Sequence, residues 1–252
     1  MRFTVLGSSG AWPTAGRACS GFLLESDGTF VVLDLGFGVL SRLLGHCGAE
    51  DVRAVFVTHA HADHCVDLYG LNRARALPRP PFPPLPIYAL PEVMDRVGSL
   101  DGLEERDRLK RECEFHPIGP DQSMDVGPFR VRTFGLPHFV PNLGFRIEAD
   151  GIVIAYTGDT GPTPRVAELA RGTDLFVCEA THQEVPPEGT NRFLLTAAEA
   201  GRYAREAGVA RLMLTHFWPG DDRAVSRSLA AREFGGEILL AEEGLSLLLS
   251  SR

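Results

Sequence analysis

The sequence predicts an α/β fold, a four-layer αββα sandwich in which two mixed sheets lie face to face with helices outside. Three observations carry this. Short apolar, β-branched runs recur in both halves of the chain and interleave with helical stretches. No repeat or linker divides the 252 residues, so residues 1–252 read as one domain. Histidines stand just beyond two buried strands, at Thr58-His59 and again at Thr215-His216.

The N-terminal part reads as strands Phe3–Leu6, Phe22–Glu25 and Phe30–Leu35, with Asp27-Gly28 as a hairpin turn. Between the first two strands lies a loop of small residues, from Gly7 to Gly21. Such a loop lets backbone approach a ligand, with Arg17 as a phosphate contact, or it is a solvated surface loop. Asp34 ends a buried strand and needs a partner there. A hydrogen bond to a metal-binding histidine would supply one. Residues 52–58 form a further buried strand, and Cys65–Leu71 a helix. The run from Ala76 to Pro86 holds six prolines, which forbid helix or central strand. It reads as a stiff connector, with an active-site rim or a subunit contact as the other readings.

Strand Leu85–Ala89, helix Pro91–Leu100 and a charged helical stretch Glu104–Glu112 follow. Residues 129–134 lead to Leu136-Pro-His138. Leu143–Ala149 and Ile152–Tyr156 flank the turn Asp150-Gly151. That hairpin delivers Asp159 on a loop of small residues. The C-terminal part alternates helix Pro164–Arg171, strand Asp174–Glu179, a helix opened by the capping box Thr196-Ala-Ala-Glu199 and stopped by Gly208, and strand Arg211–Leu214. Helix Arg223–Phe234 and strands Glu237–Leu240 and Leu245–Leu248 complete the chain.

The densest chemistry lies in Thr58-His-Ala-His-Ala-Asp-His64, on a tight strand-to-helix turn. Alternate histidines point the same way along extended chain, while Asp63 and His64 project from the other side of the turn. That arrangement suits two neighbouring metal ions, and imidazole and carboxylate ligands suit zinc. Collected along the chain, the candidates are His59, His61, Asp63, His64, His138, Asp159 and His216. Six of them make two sets of three, with Asp159 placed to bridge. Two cations about 3.5–4 Å apart lower the pKa of a shared water, hold hydroxide at neutral pH and neutralise charge growing on a phosphoryl oxygen. Phosphodiesters fit such a dicationic cleft.

Composition narrows the setting. With 44% hydrophobic residues the chain can bury a substantial core. No apolar run approaches the ~18 residues of a membrane span, and the start has no signal-peptide character. Five scattered cysteines without Cys-x-x-Cys spacing point to reduced thiols and a cytoplasmic protein. Cys65, beside His64, reads as a buried small hydrophobe or a neighbour of the metals. The formal net charge of −8 favours a small substrate over long nucleic acid, unless a local basic patch lies hidden in the average.

The metal positions, in order and spacing, resemble those of the metallo-β-lactamase superfamily along the whole chain. The resemblance implies that superfamily's αββα sandwich and a hydrolase holding two zinc ions, with manganese or iron as alternatives. It implies that His59, His61 and His138 hold one ion and Asp63, His64 and His216 the other, and Asp34 matches the first-motif aspartate. Tyr156-Thr-Gly-Asp-Thr-Gly161, Cys178-Glu-Ala-Thr181 and Leu214-Thr-His-Phe217 look like the ribonuclease Z branch. Three departures count against tRNA 3′ processing itself. Cys178 stands where that family usually has a histidine. Leu194-Leu195 replaces a catalytic helper histidine before the capping box. His138 and Asp159 are only 21 positions apart (159 − 138), too close for the family's tRNA-gripping arm.

The chain is more similar to small bacterial members of the branch that include cyclic-AMP phosphodiesterases, although those often keep a histidine at the position of Leu194. The implied function is a phosphodiesterase acting on small or cyclic nucleotides through a metal-bridging hydroxide. The alternatives are a tRNA-processing nuclease and a non-catalytic metal or nucleotide sensor. Asp63 and His182 are the candidate catalytic residues. His182 would protonate the departing alkoxide, unless metal-bound water does so and His182 is merely a surface residue. His46 and His116 lack metal-motif context. No membrane partner is expected, and relatives of this type are commonly homodimers.

Overall fold

The computed structural model describes residues 1–102, 106–187 and 192–250. In chain order the first elements are β1 (Arg2–Gly7), β2 (Gly21–Ser26), β3 (Thr29–Leu33), α1 (Val39–Leu43), β4 (Val52–Phe56), α2 (Ala62–Cys65) and α3 (Asp67–Ala76). Next come β5 (Pro86–Ala89), α4 (Pro91–Gly98), α5 (Arg106–Glu112), β6 (Glu114–Pro117), β7 (Ser123–Val126), β8 (Phe129–Leu136), β9 (Asn142–Ala149) and β10 (Ile152–Tyr156). The last are α6 (Pro164–Ala170), β11 (Leu175–Glu179), α7 (Ala197–Ala207), β12 (Arg211–Thr215), α8 (Arg223–Ala231), β13 (Glu237–Leu240) and β14 (Ser246–Leu248).

The strands form two sheets, ordered β14-β1-β2-β3-β4-β5-β6 and β13-β12-β11-β10-β9-β8-β7. Each is antiparallel at one end and parallel at the other, where helices make the crossovers. The inner core is aromatic. Phe56 of the first sheet meets Phe145 of the second at 5.7 Å, and Phe22 meets Tyr156 at 5.0 Å. Outside, α1, α3 and α4 cover the first sheet through Val39, Leu68, Leu71 and Val93. Helices α6, α7 and α8 cover the second through Leu169, Ala200 and Ala230. The order of layers is αββα, as the sequence predicts.

Local chemistry explains most element ends. Thr196 Oγ1 accepts from the Glu199 amide, the Glu199 carboxylate accepts from the Thr196 amide, and Gly208 ends α7 in the left-handed region at φ 65°. Strand β3 stops at Leu33 because Asp34 turns left-handed, at φ 57°. The helix expected at Cys65–Leu71 is two pieces, α2 and α3. It starts three residues early, so Asp63 and His64 ride on its first turn, and it continues to Ala76 before Pro78. Helix α1 and edge strands β6 and β7 were not anticipated: α1 is a single short turn, and the strands lack a clean alternation of apolar and polar residues.

Of the expected stretch Glu104–Glu112, residues 104 and 105 lie outside the described residues. The proline-rich stretch behaves as a connector laid along α3, where Arg75 donates to the Pro83 carbonyl at 2.8 Å and the Phe82 amide to the Arg75 carbonyl at 2.9 Å. All five cysteines are free thiols. Among the described residues no helix is long and apolar enough to cross a membrane.

Candidate metal centre

Four strands deliver the polar cluster to one edge of the sandwich. His59 follows β4 of the first sheet, while His138, Asp159 and His216 follow β8, β10 and β12 of the second. Helix α2 begins directly after His61 and carries Asp63 and His64 in its single turn. Close backbone contacts hold the turn in place. A Cβ on Gly36 would fall 1.9 Å from the Asp63 carbonyl, and one on Gly10 would fall 2.8 Å from the His216 ring. The small-residue loop therefore does reach the site, and its Ala11 amide donates to Asp63 Oδ2 at 2.7 Å. Ala11, Asp34 and His216 all sit in the left-handed region, a strain that collects at functional positions.

The seven candidate side chains converge in two groups. His59, His61, His138 and Asp159 form one, and Asp63, His64 and His216 the other, with the potential ligand atoms of each within 4.8 Å of one another. Asp159 joins them. Its Oδ2 lies 3.9 Å from His59 Nε2 and 3.6 Å from His138 Nε2. Its Oδ1 lies 3.3 Å from both His64 Nε2 and His216 Nε2.

Surrounding partners set the ring protons. His138 Nδ1 donates to the Phe193 carbonyl at 2.8 Å, and a carbonyl can only accept. His64 Nδ1 donates to Asp34 Oδ2 at 2.8 Å. Thr181 passes its own proton to Glu179 and so accepts from His216 Nδ1 at 2.8 Å. Thr58 likewise donates to Asp34 and accepts from His59 Nδ1 at 3.0 Å. Four rings thus keep their protons on Nδ1 and turn Nε2 lone pairs inward, the arrangement that a metal-binding histidine requires. His61 presents Nδ1 instead, 3.0 Å from His59 Nε2 and 3.1 Å from His138 Nε2.

This donor set fits cations. Three ring nitrogens crowd one point, and one hydrogen on His61 Nδ1 cannot serve both facing lone pairs equally. His64 Nε2 and Asp159 Oδ1 are buried with no hydrogen-bond partner among the described residues. A cation in each group would satisfy every one of these atoms.

The electrostatics divide the rings. Burial is the largest influence on His59, His61 and His138, and all three fall below the ordinary histidine value. Burial opposes protonation of His64 and His216 too. There the carboxylates win, Asp159 foremost, and both rings rise above the ordinary value. Burial likewise opposes the charge on Asp159, yet His216 and His64 hold it well below the usual carboxylate range. Burial, followed by the charge of Asp159, pushes Glu179 up to about 8.

Asp34 is the hub beneath the site. Fully buried, it accepts from the Thr58 amide at 2.8 Å, from His64, and from the Tyr156 hydroxyl at 2.7 Å. The roles of Tyr156 and of the Glu179–Thr181 pair were missed in the sequence. For Tyr156 a signal existed, since a tyrosine on a wholly apolar strand must find a partner for its hydroxyl.

The other candidates stand apart from the two groups. The His182 ring is partly buried and lies within electrostatic reach of Arg192 and His216. Its backbone pairs with the segment bearing Leu195. Cys65 is buried, with its thiol donating to the His61 carbonyl. Arg17 faces Glu243 at 3.5 Å. His46 is exposed, and His116 stacks on Tyr88 at 4.6 Å.

The family described as "Beta-lactamase superfamily domain" matches residues 29–217. The chain belongs to this superfamily. An uncharacterised protein of Mycobacterium tuberculosis, Rv1339, is 35% identical over 245 residues, covering 94% of this chain and 88% of that one. The "Probable metallo-hydrolase YhfI" of Bacillus subtilis is 30% identical over 97% of this chain and 98% of its own. The crystal structure of YhfI, described as a metallo-beta-lactamase fold protein, superposes with a TM-score of 0.86 over 98% of this chain and 99% of that one. A Ribonuclease Z of Thermobifida fusca is 29% identical over 98% of this chain and 94% of its own. Together these relatives place the superfamily member in the ribonuclease Z-like branch.

Proposed function

We propose that this metallo-hydrolase cleaves phosphodiesters of small or cyclic nucleotides with a pair of zinc ions. His59, His61 and His138 would hold one ion and Asp63, His64 and His216 the other, with Asp159 between the two groups and able to serve both. One observation carries the reading: the two oxygens of Asp159 face different imidazole groups. The bound cations supply Lewis acidity, activating water at neutral pH and neutralising charge on a phosphoryl oxygen. The chain's own residues prepare the ground. Asp34, Thr58, Thr181 and the Phe193 carbonyl fix the ring tautomers. Asp63, held by the Ala11 amide, aims its carboxylate at the reacting side. His182 supplies the proton for the departing alkoxide.

The likeness to the Thermobifida Ribonuclease Z favours tRNA 3′ processing as the second reading. Two features weigh against it. Strands β9 and β10, joined by a tight turn, occupy most of the chain between His138 and Asp159, with no inserted arm. The net charge of −8 also suits a small substrate better than a long polyanion.

The test is a metal-loaded screen of cyclic nucleotides, dinucleotides, bis(p-nitrophenyl) phosphate and precursor tRNA, with Asp159→Ala as the inactive control. Metal-dependent turnover of the small diesters is expected. Exclusive cleavage of precursor tRNA would replace this reading with the second, and stoichiometric metal without turnover would make the protein a sensor.

A further inference from the structure

Scattered exposed aliphatics are ordinary on a protein surface, whereas exposed aromatics gathered beside a polar cluster carry information. Among the described residues, three aromatics stand in that exposed set: Trp12 at 45%, Trp218 at 41% and Phe139 at 64%. The other large apolar side chains exposed with them, such as Leu44, Leu77 and Leu248, are aliphatic. All three aromatics adjoin the metal centre. Phe139 follows His138 directly, with ring centroids 5.1 Å apart, and packs on Phe193 at 4.6 Å. Phe193 is the residue whose carbonyl holds the His138 ring. Trp12 and Trp218 meet edge to face at 5.1 Å. Trp12 follows the amide that binds Asp63, and Trp218 lies two residues beyond His216.

One aromatic pair therefore belongs to each ligand group, Phe139–Phe193 to that of His138 and Trp12–Trp218 to that of His216. Trp218 also walls a cleft of about 480 Å³ whose charged lining is Arg17, Arg223, Asp221, Asp222 and Glu242. Ligand pockets of roughly 300–1,000 Å³ are typical, so a nucleoside fits. A diester whose phosphate lay between the two ligand groups would have one aromatic pair beside each group, one for each of its ester substituents.

We propose that the two aromatic pairs are stacking walls for two nucleobases, and that the preferred substrate is a linear dinucleoside phosphodiester. This rests on the reading of the centre as a phosphodiesterase. A cyclic mononucleotide has a single base and can use one wall only. Aromatic faces stack on any base, so the walls select for nucleobases without selecting a sequence.

The chain's two tryptophans are both in one wall, so intrinsic fluorescence reads it directly. The metal-loaded protein is titrated with a hydrolysis-resistant diadenosine phosphorothioate and with its doubly abasic counterpart. Tryptophan quenching is expected with the first alone, and tighter binding by about 5- to 150-fold for each base stacked. Phe139→Ala and Trp12→Ala each remove one such factor, and Trp12→Phe restores part of it. Both positions are exposed, and an unchanged melting curve confirms that the fold is intact. Equal binding of the two analogues, or a base preference that survives both alanine variants, overturns the proposal. Turnover separates the two readings. If unmodified base-bearing and abasic diesters are cleaved with equal kcat/KM, the stacking walls fail alone. If base-dependent quenching stands while no diester is cleaved, the phosphodiesterase reading fails alone.

Discussion

Replacing Asp34 with asparagine separates the two halves of the centre. Asp34 accepts four hydrogen bonds: from the Thr58 amide and hydroxyl, from His64 Nδ1 and from the Tyr156 hydroxyl. Asparagine keeps the shape and tolerates the left-handed backbone at φ 57°. It keeps only one acceptor oxygen, however, and turns the other into a donor. With the amide nitrogen in the Oδ2 position, His64 must move its proton to Nε2, the atom that faces the site. With the amide flipped, the Thr58 amide loses its acceptor instead.

One charge-assisted hydrogen bond is worth about 1.5–3 kcal/mol, and losing such a partner typically lowers metal affinity roughly 10–100-fold. The ion held by Asp63, His64 and His216 should therefore weaken by that factor in Asp34→Asn. The ion held by His59, His61 and His138 should change far less, because His59 Nδ1 keeps Thr58 as its acceptor at 3.0 Å. Zinc titration against a chromophoric chelator resolves the two steps. Equal weakening of both steps, or of neither, would refute the assignment of Asp34 to His64.

Three further outcomes are expected. His182→Ala should slow cleavage of diesters with alkoxide leaving groups by about 10²–10⁴ and leave p-nitrophenolate departure almost untouched. Burial, then Arg192, lowers the pKa of His182, so its acid form is lost already below the ordinary histidine range; kcat for the alkoxide substrate should fall as pH rises, and a flat profile would exclude His182 as the acid. The second concerns metal loading. Without metal, the carboxylates led by Asp159 raise the pKa values of His64 and His216, whereas burial lowers those of His59, His61 and His138, so protons compete with a cation at His64 and His216 up to a higher pH. Lowering the pH should strip the ion at His64 and His216 first, at about tenfold in affinity per pH unit for each displaced proton. Metal content after dialysis at a series of pH values checks the order, and simultaneous loss would contradict it. Finally, burial pushes the Cys47 thiol up to about 11 and those of Cys19, Cys65 and Cys113 up to about 12, so iodoacetamide should label the native protein slowly at pH 8 and rapidly once it is unfolded. Fast native labelling would count against the packing around those residues.

The sequence exposes the parts of this fold where one residue type has one meaning. Ile152–Tyr156 and Glu237–Leu240 are strands from end to end as their β-branched and apolar content requires, and Asp150-Gly151 makes the expected turn. The ligand cluster is equally plain, because imidazoles two apart beside an Asp-His pair have few other uses. What stays hidden depends on neighbours distant in sequence. Edge strand β6 is held by pairing with β5, some 28 positions earlier (114 − 86), while β7 pairs locally with β8 but lacks the alternation that would announce it. Tyr156 reaches Asp34 across 122 positions of sequence. Trp12 falls within the small-residue loop and Trp218 in no expected element, and the two gain meaning only when 206 positions (218 − 12) close to ring contact.

The donors are divided between the layers: His59, His61, Asp63 and His64 hang from the first sheet, and His138, Asp159 and His216 from the second. Neither sheet on its own assembles either donor group. On the proposed reading, metal uptake would therefore check assembly, because neither donor group forms until the two sheets have closed on each other. Chelation should act in reverse, loosening the seam between the halves before either half comes apart.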